Sequence, residues 1–295
     1  MAAGVNEKSG SEPDFLHPIF DPVRPWIERA GDFSLERLNL LSETADIRTE
    51  NGKPVRFVPP SSADPYYEIH VFETGHVQTR PDNRHDLFNA LAWLAFPKTK
   101  ARINAMHAAE IPREGGKRGR VRDMLTIFDE GGAIVACSGE VADLVREAHW
   151  PDLFLEHHRD FRIVVVGHAV LEQALAPHPG ITCKVIFADP SRDLDAQAAH
   201  WLAAEGRTPR DLPPLPVFGY PGWFEGGGQA GFYADERYFR PARKSGSDPD
   251  FCCSAPTRKC VPANMPSGVG QAAAVPVGSQ CGAEESPGSI ERDAG

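Results

Sequence analysis

Two histidines of this 295-residue chain stand where folding would give them chemistry to do. His85 lies in "RPDNRHDLFNALAWLAFPKTK", beside Asp86 and four residues before Asn89, at the head of an otherwise apolar stretch. Residues four apart share a helix face. An imidazole beside an acid at a helix start can serve as metal ligand or general base. His168 follows the apolar run "RIVVV" and Gly167, with Glu172 four residues later. In open α/β units ligands bind beyond the carboxyl ends of strands. His168 and Glu172 would then be two metal ligands, or a base and its orienting partner. Asp123 completes the acid set, and Arg80, Arg118 and Arg122 are the cations that would hold a substrate's negative charge.

Each of these residues also has an ordinary reading. Asn83 caps a helix, and Asp86 suits the positive end of its dipole. His85 would be satisfied by a neighbouring carbonyl, His168 would be a partly buried helix-start residue with Glu172 solvated, and Asp123 would pair with Arg122. The basic run from Arg113 to Arg122 has five cations against Glu114, with Gly115, Gly116 and Gly119 between them. Its exposed backbone N–H groups suit an anion, and a mobile solvated loop explains it equally. Asp129-Glu130, followed by two glycines, reads as turn chemistry. His107 is a further candidate if its helix folds back toward His85. His157-His158 reads as a solvated face.

The elements that must position these residues follow from periodicity. "SLERLNLLSETA" is an amphipathic helix capped by Ser34. Asn51-Gly52 marks a hairpin turn. "YYEIHVFETGHVQTR" reads as two strands around Glu73-Thr74-Gly75. Residues 83 to about 96 form a helix stopped by Pro97 and apolar on more than one face, hence buried. "RDMLTIFDEGGAIVACS" reads as strand, turn, strand. Two short helices broken at Pro151 follow. "FRIVVVGHAVLEQALAP" is a strand running into a helix, "GITCKVIFADP" a strand, and "SRDLDAQAAHWLAAEG" a helix capped by Ser191. The fold class is α+β (mixed α/β), with short hairpins, one buried central helix and a β-α-β-α unit, right-handed if its strands are parallel neighbours. The aromatic segment Phe218–Phe239 is expected to wrap the surface with its rings tucked in.

Composition sets the outer bounds. The chain is 41% hydrophobic and 24% charged, with net charge −10, so it does not coat nucleic acid over its whole surface. The six cysteines form no CxxC pair. Cys137 and Cys183 fall in strands as small apolar groups, while Cys252, Cys253, Cys260 and Cys281 fall in a Ser/Gly/Pro-rich tail. No apolar leader follows Met1 and no apolar run is long enough to span a bilayer, so a cytoplasmic protein without a membrane partner is expected. Residues 1–16 and 244–295 read as disordered, flanking one globular domain at 17–243. No GxxxxGK[ST], strand-linked GxGxxG or GxSxG occurs, which weighs against nucleotide folds and the common serine hydrolases.

"QTRPDNRHDLFNALAWLAFPKTKARINAMH", "RVRDMLTIFDEGGAIVACS", "VVVGHAVLEQAL" and "LPVFGYPGWF…FYADERYFRP", in this order, resemble an uncharacterised bacterial family, domain of unknown function 3025. The likeness spans about residues 17–243 and implies no activity, cofactor or catalytic residue.

The residues themselves support an enzyme with one polar pocket, using metal-assisted hydrolysis of an anionic small molecule. His85 and His168, with Glu172, would bind a divalent metal, or the histidines would act as acid and base. Asp86 and Asp123 would orient them, with Arg80, Arg118, Arg122 and Asn89 on the substrate. The rival is a non-catalytic scaffold presenting the Phe218–Phe239 aromatics to a partner. A third reading takes His70 and His76 on a hairpin and His85 on a helix as a metal nuclease.

Overall fold

A computed structural model describes residues 15–61, 66–115 and 117–242. The expected disordered ends, all but residues 15 and 16, lie outside the described residues, as do Gly116 and the four tail cysteines. The architecture is α+β. A four-stranded sheet has the order β4-β3-β5-β6, from β3 (Gly132–Ala136), β4 (Arg162–Val165), β5 (Cys183–Ala188) and β6 (Pro214–Leu215). Every residue of β3 is buried, as expected of a central strand covered on both faces. β3 runs parallel to β5 and antiparallel to β4. β4 and β5 are therefore neither neighbours nor parallel, and the handedness rule for a β-α-β unit does not apply to them. Among the described residues, no helix is long and apolar enough to cross a membrane.

The helix at the head of which His85 lies is α4 (Arg84–Ala95). Asn83 Oδ1 accepts from the Asp86 amide at 2.9 Å, closing one of the orphan N–H groups of the first turn. Phe88 and Leu91 enter one hydrophobic cluster, with the sheet, while Ala90, Trp93 and Leu94 enter a second. A helix wedged between two cores buries apolar residues on more than one face, and its polar residues are gathered in its first half. Pro97 ends α4 and opens α5 (Pro97–Glu110), where its missing N–H costs nothing.

In two expected hairpins the first strand is a helix, while the second strand forms as expected. "YEIHVFET" is α3 (Tyr67–Thr74), and Gly75 is its left-handed C-cap at φ 79° rather than a turn between strands. A Cβ there would sit 2.1 Å from the Pro54 carbonyl oxygen, so both backbone angle and space demand glycine. β2 (His76–Gln78) then pairs in parallel with β1 (Arg56–Val58). Asn51-Gly52 does turn the chain, and among the described residues it is flanked by an isolated antiparallel bridge, Arg48–Pro54, and not by paired strands. His70 is thus helical, and the hairpin-helix nuclease loses its hairpin.

"RVRDMLTIFDEG" is likewise α6 (Arg120–Gly131), leading straight into β3. Val121, Met124, Leu125 and Phe128 recur at the i, i+3, i+4, i+7 spacing of a helix stripe, and the last three are fully buried. Asp129-Glu130 therefore close a helix and do not form a turn. α9 (Leu194–Ala203) is capped by Asp193, whose Oδ1 accepts from the Ala196 amide at 3.0 Å. Ser191 instead bonds to Asp189.

The aromatic segment is built into the core. Phe218, Trp223, Tyr233, Tyr238 and Phe239 are buried. The Tyr238 hydroxyl accepts from the Phe218 amide at 3.0 Å and donates to the Ile181 carbonyl at 2.7 Å. Rings committed to the interior cannot also be a partner-facing patch. Cys137 and Cys183 are buried free thiols, with Cys183 in β5 and Cys137 just past the end of β3.

Candidate metal centre

His85 comes from the first turn of α4, Glu130 from the last turn of α6, and His168 from the first residue of α8 (His168–Gln173). Gly167 lets the last two meet. A Cβ at Gly167 would lie 2.6 Å from both the Glu130 carbonyl oxygen and the Gly132 nitrogen, so the bare backbone is what allows α8 to start against the end of α6. The Gly167 amide donates to the Gly132 carbonyl at 2.8 Å and fixes that approach.

The two imidazoles face one another through their Nε2 atoms, 3.1 Å apart. Glu130 Oε2 lies 3.8 Å from His85 Nε2 and 3.5 Å from His168 Nε2. A triangle with these edges has a circumscribed radius of about 2.0 Å, the length of a zinc–imidazole or zinc–carboxylate bond. One point can therefore be at bonding distance from all three donors at once.

The far side of each ring is also held. His168 Nδ1 lies 2.8 Å from the Asp129 carbonyl oxygen, which can only accept, so a neutral His168 carries its proton on Nδ1. His85 Nδ1 lies 3.1 Å from Glu172 Oε2, and a carboxylate sets the same tautomer. With both rings neutral, both Nε2 lone pairs point into one space. Two lone pairs at 3.1 Å repel unless a proton or a cation lies between them. Burial pushes the His168 imidazole down to about 4, so it does not supply that proton near neutrality. Burial pushes the Glu130 carboxyl up, with His85 opposing.

The centre opens into a cavity of about 500 Å³ between α3, α4, α5 and the end of α6. Its cations are already engaged. Arg80 grips Asp86 through Nε and Nη2 at 2.8 and 2.9 Å, and Lys100, itself buried, bonds Asp129 and the Asn89 oxygen. Burial pushes the Asp129 carboxyl up, but Lys100 and His168 outweigh it and hold it below the usual range. Arg80 does the same for Asp86 against a similar burial penalty.

Of the residues singled out from sequence, His85, His168, Glu172, Asp86, Asn89 and Arg80 are brought to this region. Asp123, Arg118 and Arg122 do not line the cavity. Asp123 pairs with Arg118 at 3.1 Å on an exposed face. Arg122 bonds Glu114 at 2.8 Å and His107 Nδ1 at 3.2 Å. His107 is buried against that guanidinium and not beside His85. Glu130 is the donor that sequence reasoning set aside as turn chemistry, and the helical stripe in "VRDMLTIF" was the signal that would have placed it. Glu68, Tyr67, Lys100 and Asn104, also on the cavity wall, carried no motif.

The profile of a family described as "Protein of unknown function (DUF3025)" matches residues 55–243. No curated protein and no solved structure matches the chain.

Proposed function

The chain belongs to the DUF3025 family, and on that premise, which brings no activity with it, we propose from the site itself a metal-dependent hydrolase with a His2Glu centre. His85 Nε2, His168 Nε2 and Glu130 Oε2 are the ligands, and Glu172 and the Asp129 carbonyl are the partners that orient the two rings. Three protein donors beside an open cavity match a catalytic rather than a structural centre, because the fourth position is left to water or substrate. A divalent ion held by these three residues would lower the pKa of a bound water and polarise a carbonyl or phosphoryl oxygen. The chain's own residues, Glu172 and the Asp129 carbonyl, hold the two imidazoles with Nε2 toward the centre.

The single observation that carries the reading is the 3.1 Å meeting of two Nε2 atoms whose Nδ1 atoms are both bound to acceptors. The scaffold alternative is not favoured, since five of the aromatics it needs, Phe218, Trp223, Tyr233, Tyr238 and Phe239, are buried and Tyr220, Phe224 and Phe232 are packed against the core. The first test is elemental analysis of purified protein beside His85→Ala, His168→Ala and Glu130→Ala. About one transition metal per chain in the parent and loss in each variant is the expected outcome. Equal, near-zero content in all four would remove the metal centre.

A further inference from the structure

Asn104, on α5, is 2% exposed and lines the same cavity. Its amide nitrogen donates to the Glu68 carbonyl oxygen and to Glu68 Oε2, both at 2.9 Å. A carbonyl oxygen can only accept, so this orientation of the amide is fixed and Asn104 Oδ1 is turned the other way. Oδ1 is buried and finds no donor among the described residues. Beside it, Glu68 meets no cation at ion-pair distance among the described residues. The cations of the cavity wall are spent elsewhere, Arg80 on Asp86 and Lys100 on Asp129. Among the residues lining the cavity, Asn104 thus brings a buried acceptor without a donor beside a carboxyl without a cation, and buried acceptors of this kind are costly unless something donates to them.

We infer that the substrate carries an amino group, which in its protonated form donates to Asn104 Oδ1 and pairs with Glu68. The inference rests on the reading that this cavity holds the reaction, and it replaces the anionic substrate expected from the arginines. An ammonium with three N–H groups answers both acceptors at once, whereas a carboxylate or phosphate would meet only acceptors there. The substrate class is therefore an amine-bearing small molecule whose scissile bond reaches from this wall to the His85–Glu130–His168 centre.

The test uses the full chain and three probes of equal size, n-butylamine, n-butanol and n-butyrate, titrated by ligand-observed NMR near neutral pH. Butylamine should bind roughly tenfold or more tightly than either of the others, the advantage expected of charge-assisted hydrogen bonds. Glu68→Gln, which keeps the shape and loses the charge, should erase that preference. Butyrate or butanol binding as well as butylamine would overturn the inference, as would no saturable binding by any probe. A preference that survives Glu68→Gln would also overturn it, since the amine would then be sitting on a metal ion instead. Should Glu68→Gln fail to fold, the ranking of the probes on the parent still decides. Metal content measured on the same samples separates the two readings. An amine preference in a metal-free chain sinks the metal centre alone, and a full metal complement without the preference sinks only the amine site.

Discussion

The His85–His168 centre and the basic run Arg113–Arg122 are both dense in charge-bearing side chains, and their charges are used differently. In the basic run the charges find one another. Glu114 takes Arg122 at 2.8 Å and the Gly119 amide at 2.6 Å, Asp123 takes Arg118 at 3.1 Å, and Glu110 takes Arg113 at 3.0 Å. The run becomes a latch that starts α6. At the histidines the second nitrogen of each ring is satisfied and the first is left facing its twin. Charge density does not distinguish a site from a scaffold. A donor set left open after the local bonds are made does.

The comparison is tested hardest where the rings are oriented. Glu172→Gln keeps a side chain of the same size near His85 Nδ1 but removes the negative charge. Metal affinity should fall by roughly 10- to 100-fold, as for other groups that orient a ligating histidine. Competition titration against a chelator reads this directly. An unchanged affinity would mean that the 3.1 Å contact at Nδ1 is incidental.

The largest effect on stability is that of Lys100→Met. Lys100 is buried beneath the centre and bonds both Asp129 and Asn89. Removing one member of a buried pair leaves the other charge uncompensated, and a loss of about 3–5 kcal/mol in unfolding free energy is expected from urea titration. A loss below about 1 kcal/mol would mean that water screens the Lys100–Asp129 pair.

What was legible in the sequence divides along the same line. α4 and its Asn83 cap, the passage from β4 into α8, and the two histidines themselves could be read from local spacing. The meeting of His85 with His168 could not, because it depends on Gly167 being packed against the end of α6, a contact between segments far apart in sequence. α3 was misread because aromatic and β-branched residues at Tyr66, Tyr67, Ile69 and Val71 favour strands locally. Tertiary packing of Val71, and a glycine that caps as well as it turns, decided for helix. α6 is different, since its stripe is plain once counted. Reading Asp129-Glu130-Gly131-Gly132 as a turn hid it, and hid Glu130 with it.

His107 stands at the seam between the two regions, buried beside Arg122 and within the field of Asp129. Burial pushes its imidazole down to about 4, against about 6.5 in the unfolded chain. The unfolded state therefore binds more protons between these values. The contribution is fully present above about pH 6.5 and is lost as pH falls toward 4, by up to about 3 kcal/mol. His107→Gln should flatten the acid limb of a stability–pH curve over that window. If parent and variant fall in parallel, His107 is not the buried neutral group that its packing indicates.

The smallest effect belongs to Asp123, and its smallness is informative. From sequence it stood among the candidate catalytic acids. In the fold its side chain is about half exposed, paired with an equally exposed Arg118, and turned away from the cavity. Such pairs contribute little, because water screens the charges and two long side chains must be held still. Asp123→Ala should change stability by less than about 0.5 kcal/mol and leave metal content and chelator competition as in the parent. A variant that folds normally yet loses metal would mean that α6 is rotated about its axis, bringing Asp123 round to the centre. Glu130, on the same helix, would then swing away from it, and the argument from the three donor–donor distances would fall with it.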